Sequence, residues 1–154
     1  MGAAVETFDR LLTDAGDTSR TLTLPFERRQ RSRQRVLLDD GCEVQLRLPR
    51  GTVLRDGDVL GGADGPPVQV RAAAEDVSVA ASTDAALLLR AAYHLGNRHV
   101  PVQIGPGWLR YGHDHVLDGL CRGLGLEVSA AQLPFEPEAG AYAGGDHAHL
   151  HVPH

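Results

Sequence analysis

From residue 21 the hydrophobic positions alternate with polar ones, the period of a strand that lays one face on a core. "TLTLPF" (21–26) and "CEVQLRLPRG" (42–51) carry the pattern. In the second, Val44, Leu46 and Leu48 fall on one side, and Glu43, Gln45 and Arg47 on the other. Between them Arg29, Arg31, Arg33 and Arg35 recur at every second residue, so in a strand they share one face. Such a row serves as a nucleic-acid face or as a charged edge that blocks aggregation, and a net charge of −5 favours the edge. Turn signals follow at "DDG" (39–41), "PRG" (49–51), "DGD" (56–58) and "ADGPP" (63–67). This spacing predicts a compact β-module ending near residue 72.

The period then changes. "EDVSVAAS" (75–82) predicts a strand and "TDAALLLRAAYHLG" (83–96) a helix. Thr83 or Asp84 caps its start. Leu87, Leu88, Ala91 and Leu95 form its apolar side, and Gly96 is expected to stop it in the left-handed conformation. "VPVQI" (100–104) and "WLRY" (108–111) predict two strands about the turn "GPG" (105–107). "HDHVLDGLCRGLG" (113–125) predicts a second helix, with Val116, Leu117, Leu120, Cys121 and Leu124 inward and Gly125 as its stop. "LEVSAAQL" (126–133) predicts a last strand. The order β-α-β-β-α-β is the ferredoxin-like arrangement. Periodicity ends after Pro134. The expected fold is therefore α+β with two small domains: an N-terminal all-β module over 1–74 and a ferredoxin-like domain over 75–137. A flexible histidine-containing tail over 138–154 follows.

Composition narrows the chemistry. All 15 basic residues are arginine, which removes lysine Schiff bases and the P-loop lysine. No apolar run approaches a membrane span, and "MGAAVETFDRLL" lacks the basic-then-apolar order of a secretory signal. A cytoplasmic location is expected, with neither nucleic acid nor membrane as partner. Cys42 and Cys121 form no paired motif and read as small core residues.

All 8 histidines lie beyond residue 90. Imidazole is the commonest metal ligand, so this segregation points to metal work in the second half. His94 falls on the apolar side of its helix and reads as a core or interface residue. His99 follows the helix stop on a loop, where sites are built. His113, Asp114 and His115 stand together where a strand passes into a helix. Two readings stay open there: metal contact, or a cap from Asp114 or His113 with His115 exposed. His147, His149, His151 and His154 close the chain in a segment with little to fold around, suited to weak binding of nickel, copper or zinc. No zinc template of fixed ligands fits. A shallow, incomplete site fits better, doubled across a two-fold axis where one exposed histidine meets its own copy. Glu136 and Glu138 pair with no nucleophile and read as solvated.

Three stretches carry a resemblance. "HLGNRHVPVQI" (94–104), "LRYGHDHVLD" (109–118) and "LPFEPEAGAY" (133–142) resemble hallmark segments of the urease accessory protein E family, the nickel metallochaperones, and "LPRGTVLRDGDVL" (48–60) is similar to its N-terminal part. The resemblance implies a non-enzymatic homodimer, paired through the second domain, that passes Ni2+ to the urease accessory GTPase and the urease apoprotein assembly. It implies that His99 of each protomer is the interface ligand, that His113 and His115 are peripheral ligands, and that His147, His149, His151 and His154 form the histidine-rich terminus. Zn2+ and Cu2+ are further ions such ligands accept. Gly112 stands where some relatives have another histidine, and some members have long histidine-rich tails where this one has four histidines. Two other functions remain open at this level: a metal-dependent hydrolase using His113, Asp114 and His115, and a peptide-binding adaptor whose β-module carries the activity.

Overall fold

A computed structural model describes residues 5–13, 18–63 and 65–140. The chain divides between Ala72 and Ala73 into two compact units.

In the first unit, the alternating segments form two small sheets. One has the order β1-β5-β4, with β1 (Glu6–Phe8) parallel and β4 (Arg33–Leu37) antiparallel to β5 (Glu43–Arg47). The other has the order β2-β6-β7-β3, built from β2 (Arg10–Leu12), β6 (Val59–Gly61), β7 (Val68–Ala72) and β3 (Arg20–Leu24). Val44, Leu46 and Leu48 turn inward as their alternation requires, and join Phe8, Leu22, Leu60 and Val70 in one core. The turns at 39–41, 49–51, 56–58 and 63–67 each hold a left-handed glycine: Gly41, Gly51, Gly57 and Gly65. Only the first and last join strands that pair; the middle two shape the long connection from β5 to β6.

The arginine row is not one strand face. Phe26–Arg29 forms a one-turn helix, α1, and Arg29 is fully buried. Its Nε donates to the Leu24 carbonyl at 3.1 Å and its Nη1 to the Leu54 carbonyl at 3.1 Å. A guanidinium has donors enough to satisfy carbonyls from separate segments, which explains why this position is an arginine. Pro25 breaks the strand period just before it, so the later arginines start on a new register. Arg33 and Arg35 are exposed on β4, which ends its sheet. Cys42 is also exposed, contrary to its expected core position, while Cys121 is buried; both are free thiols.

The second unit has the order expected: β8 (Ala74–Ala81), α2 (Ala85–Asn97), β9 (Gln103–Gly105), β10 (Trp108–Gly112), α3 (His115–Gly123) and β11 (Glu127–Pro134). The antiparallel sheet runs β11-β8-β10-β9, the ferredoxin-like order. Ala91 and Leu95 of α2, Leu117 and Cys121 of α3, and Ala80, Leu109 and Tyr111 of the sheet make its core. One inward assignment shifts. Val116 is 66% exposed, and Asp118 takes a buried place on α3 instead. The strand expected over 100–104 begins only at Gln103, because Pro101 has no N–H to pair and Val100 belongs to the end of α2.

The segment after Pro134 is not simply a solvated tail. Phe135 is buried, the Glu136 N–H donates to the Gln103 side chain at 2.9 Å, and the Glu138 N–H donates to the Val102 carbonyl at 2.8 Å. Residues 135–138 thus run back over the unit beside β9. No helix among the described residues is long and apolar enough to cross a membrane.

Candidate metal centre

α2 starts under Asp84, whose carboxylate accepts from the Ala86 N–H at 2.9 Å. Gly96 does not stop it. The helix continues through Asn97, and the first residue with a left-handed backbone is His99, at φ 58°. The His99 N–H bonds to the Gly96 carbonyl at 3.0 Å, and the Val100 N–H to the Leu95 carbonyl at 3.2 Å. These are the two bonds of a Schellman motif, with His99 where glycine is the usual residue. Among the described residues, His99 is the one non-glycine residue at positive φ. A side chain there costs about 1 kcal/mol or more, because Cβ crowds the following carbonyl. Val100 packs on the helix core and fixes the exit of the chain. His99 itself is exposed.

The second cluster sits between β10 and α3. Asp114 resolves the open question of the cap: its Oδ1 accepts from the Val116 N–H at 2.8 Å and the Leu117 N–H at 3.2 Å. That carboxylate is committed to the helix start. His115 is the first helical residue and is exposed. His113 precedes the cap, with its N–H on the Asp76 carbonyl at 3.1 Å. Its ring is tied inward: Nδ1 lies 3.0 Å from Ser78 Oγ and 3.5 Å from Asp118 Oδ2. Tyr111 donates its hydroxyl to Asp118 Oδ1 at 2.8 Å. Burial pushes the Asp118 carboxyl up, but hydrogen bonds from Ser78 and Tyr111, with the nearby His113 and Arg122, outweigh it and hold the group below the usual carboxylate range. Burial, with the Asp118 hydrogen bond, raises the Tyr111 phenol, so it stays a donor.

Ser78, Tyr111 and Asp118 were not singled out from the sequence. A signal was present: Ser78 is a polar residue at an inward position of β8, and Asp118 lies on the buried side of α3, three residues before Cys121. Polar residues at core positions need partners, and here they find one another.

His94 is half-buried, outside the core, with its ring edge-on to Tyr93 at 5.3 Å between centroids. Among the described residues, no three His, Cys, Asp or Glu side chains converge on one metal position. His147, His149, His151 and His154 lie outside the described residues. What the geometry offers is two separate exposed imidazole positions, His99 and the His113–His115 pair, each short of a full ligand set within one chain. Leu89 and Tyr93, on the same face of α2, are 72% and 68% exposed.

Comparison with known proteins covers nearly the whole chain. Residues 6–73 match the family model described as the UreE urease accessory protein, N-terminal domain, and residues 75–154 the corresponding C-terminal domain. A urease accessory protein UreE of Alkalilimnicola ehrlichii is 59% identical over 138 residues, covering 90% of this chain and 85% of the relative. Proteins of the same name from Citrobacter koseri and Escherichia coli O157:H7 are 56% and 52% identical over 143 residues, each covering 92% of this chain and 93% of the relative.

Proposed function

The chain belongs to the UreE family of urease accessory proteins, and from that premise we propose that it is a cytoplasmic nickel carrier that works as a homodimer. It is an accessory protein of urease maturation, not an enzyme. Two protomers pair through the second unit, and His99 from each converges on one Ni2+ ion. His113 and His115 form a peripheral, weaker site. The terminal histidines His147, His149, His151 and His154 capture metal and raise capacity. The ion passes by ligand exchange to the urease accessory GTPase and on to the urease apoprotein assembly. Zn2+ and Cu2+ compete for the same imidazoles, since the ligand type does not exclude them.

The observation that carries this reading is His99. A histidine held at a left-handed corner that glycine fills without cost, exposed and in no group of three metal-binding side chains among the described residues, suits a site completed by a second copy of itself. The exposed Leu89 and Tyr93 on the same helix are apolar surface that such a pairing would cover. The hydrolase reading loses ground because the Asp114 carboxylate caps α3 rather than facing the two histidines.

Calorimetric nickel titration tests it. His99→Ala is expected to remove the tightest site, and deletion of residues 144–154 to lower only the number of ions bound. Unchanged tight binding in His99→Ala overturns the assignment. Because only neutral imidazole binds metal, affinity is also expected to fall on acidification.

A further inference from the structure

His113 differs from the other exposed histidines. Among the described residues it is the only one whose ring has a hydrogen-bond partner, Ser78, and it also faces a carboxylate, Asp118; both residues are buried. The pattern of donors decides which ring nitrogen carries the proton. Asp118 is an ionised carboxylate and can only accept. Tyr111 donates to its Oδ1. The Ser78 oxygen faces His113 Nδ1 at 3.0 Å and can accept a hydrogen from it. Asp118 Oδ2, on the same side at 3.5 Å, also presents only lone pairs. Two oxygens that face Nδ1, one of them a carboxylate's, favour the hydrogen on that nitrogen, which leaves the lone pair on Nε2.

We infer that Ser78 and Asp118 are positioning residues that lock His113 in its Nδ1–H tautomer, so that Nε2 is presented as the nickel donor of the peripheral site. The inference rests on the reading of His113 as a ligand and adds what orients it. Metal-binding histidines commonly give their second N–H to a carboxylate or a polar neighbour, which fixes the ring and makes the free nitrogen a better donor. Here the support is rooted in two elements of the core: Ser78 on the central strand β8 and Asp118 on α3, the latter held from its other side by Tyr111. Among the described residues, His115, one residue beyond the cap, has no such support.

Long-range proton–nitrogen NMR on metal-free full-length protein with isotope-labelled histidine reads the tautomer directly, at alkaline pH where the ring is neutral. The expected result is Nδ1–H for His113, the form an isolated imidazole disfavours. An Nε2–H ring, or the averaged signal of a free imidazole, overturns the inference without need of any variant. Ser78→Ala and Asp118→Asn are then expected to shift the ring toward that averaged signal. They should weaken nickel at the peripheral site about 10–100-fold and leave the His99-dependent site intact, which also reports that the variants fold. Titration of His113→Ala separates the two claims. If peripheral binding is unchanged there, His113 is not a ligand and the underlying reading fails. If binding depends on His113 while the ring is Nε2–H, the positioning role alone fails.

Discussion

The two helices of the second unit end in the same hydrogen-bond pattern and differ in the residue at its hinge. At the end of α3, the Gly125 N–H bonds to the Arg122 carbonyl at 2.9 Å and the Leu126 N–H to the Cys121 carbonyl at 3.0 Å, with Gly125 at φ 103°. At the end of α2 the same two bonds form around His99 at φ 58°. α3 follows local preference: glycine enters the left-handed region without steric cost. α2 goes against it, and the glycine that would serve, Gly96, sits three residues early inside the helix. A helix stop needs no imidazole. The proposed role of His99 as a shared nickel ligand gives this corner a reason to hold a costlier residue.

The largest test of that contrast is His99→Gly. It is expected to abolish the tight nickel site, as His99→Ala does, in a calorimetric titration. The mirror experiment is Gly125→Ala. A Cβ there sits at a strained φ and 3.2 Å from Leu87 Cδ1. It is expected to cost about 1–2 kcal/mol in urea unfolding, followed through the single tryptophan, Trp108, which lies in the second unit. A smaller effect of opposite sign is expected from His99→Gly in metal-free protein. Relief of the left-handed strain, less the added chain entropy of glycine, leaves a net gain of about 0.5–1 kcal/mol. Equal or lower stability would show that the histidine corner carries no strain. The smallest change is expected from Gly96→Ala. The added methyl meets nothing within 4 Å, so it should gain at most about 1 kcal/mol from helix propensity and leave nickel binding unaltered.

How much of this was legible in the sequence depended on whether a local rule held. The order of strands and helices in the second unit was readable because periodicity and the Gly125 stop act over a few residues. So was the core alternation of Val44, Leu46 and Leu48. The Gly96 stop was misplaced because the rule that glycine ends helices was overridden at His99. The arginine row was misread at Arg29, which finds its partners, the Leu24 and Leu54 carbonyls, through the tertiary fold, while Arg33 and Arg35 do lie exposed on an edge strand. Asp118 and Ser78 escaped notice for the same reason: they lie 40 positions apart in the chain, and only β8 and α3 bring both against the His113 ring. The exposed candidates His99, His113 and His115 were visible as residue types, while the support beneath His113 was not.

The central claim is that one nickel ion is shared by matched His99 side chains. Its most direct test is the nickel stoichiometry of protein ending at Gly140, measured together with its mass by sedimentation. The account predicts one tightly held ion per two chains in a dimer, lost in His99→Ala. One tight ion per chain in a monomer, or a tight ion that survives the loss of His99, would contradict it.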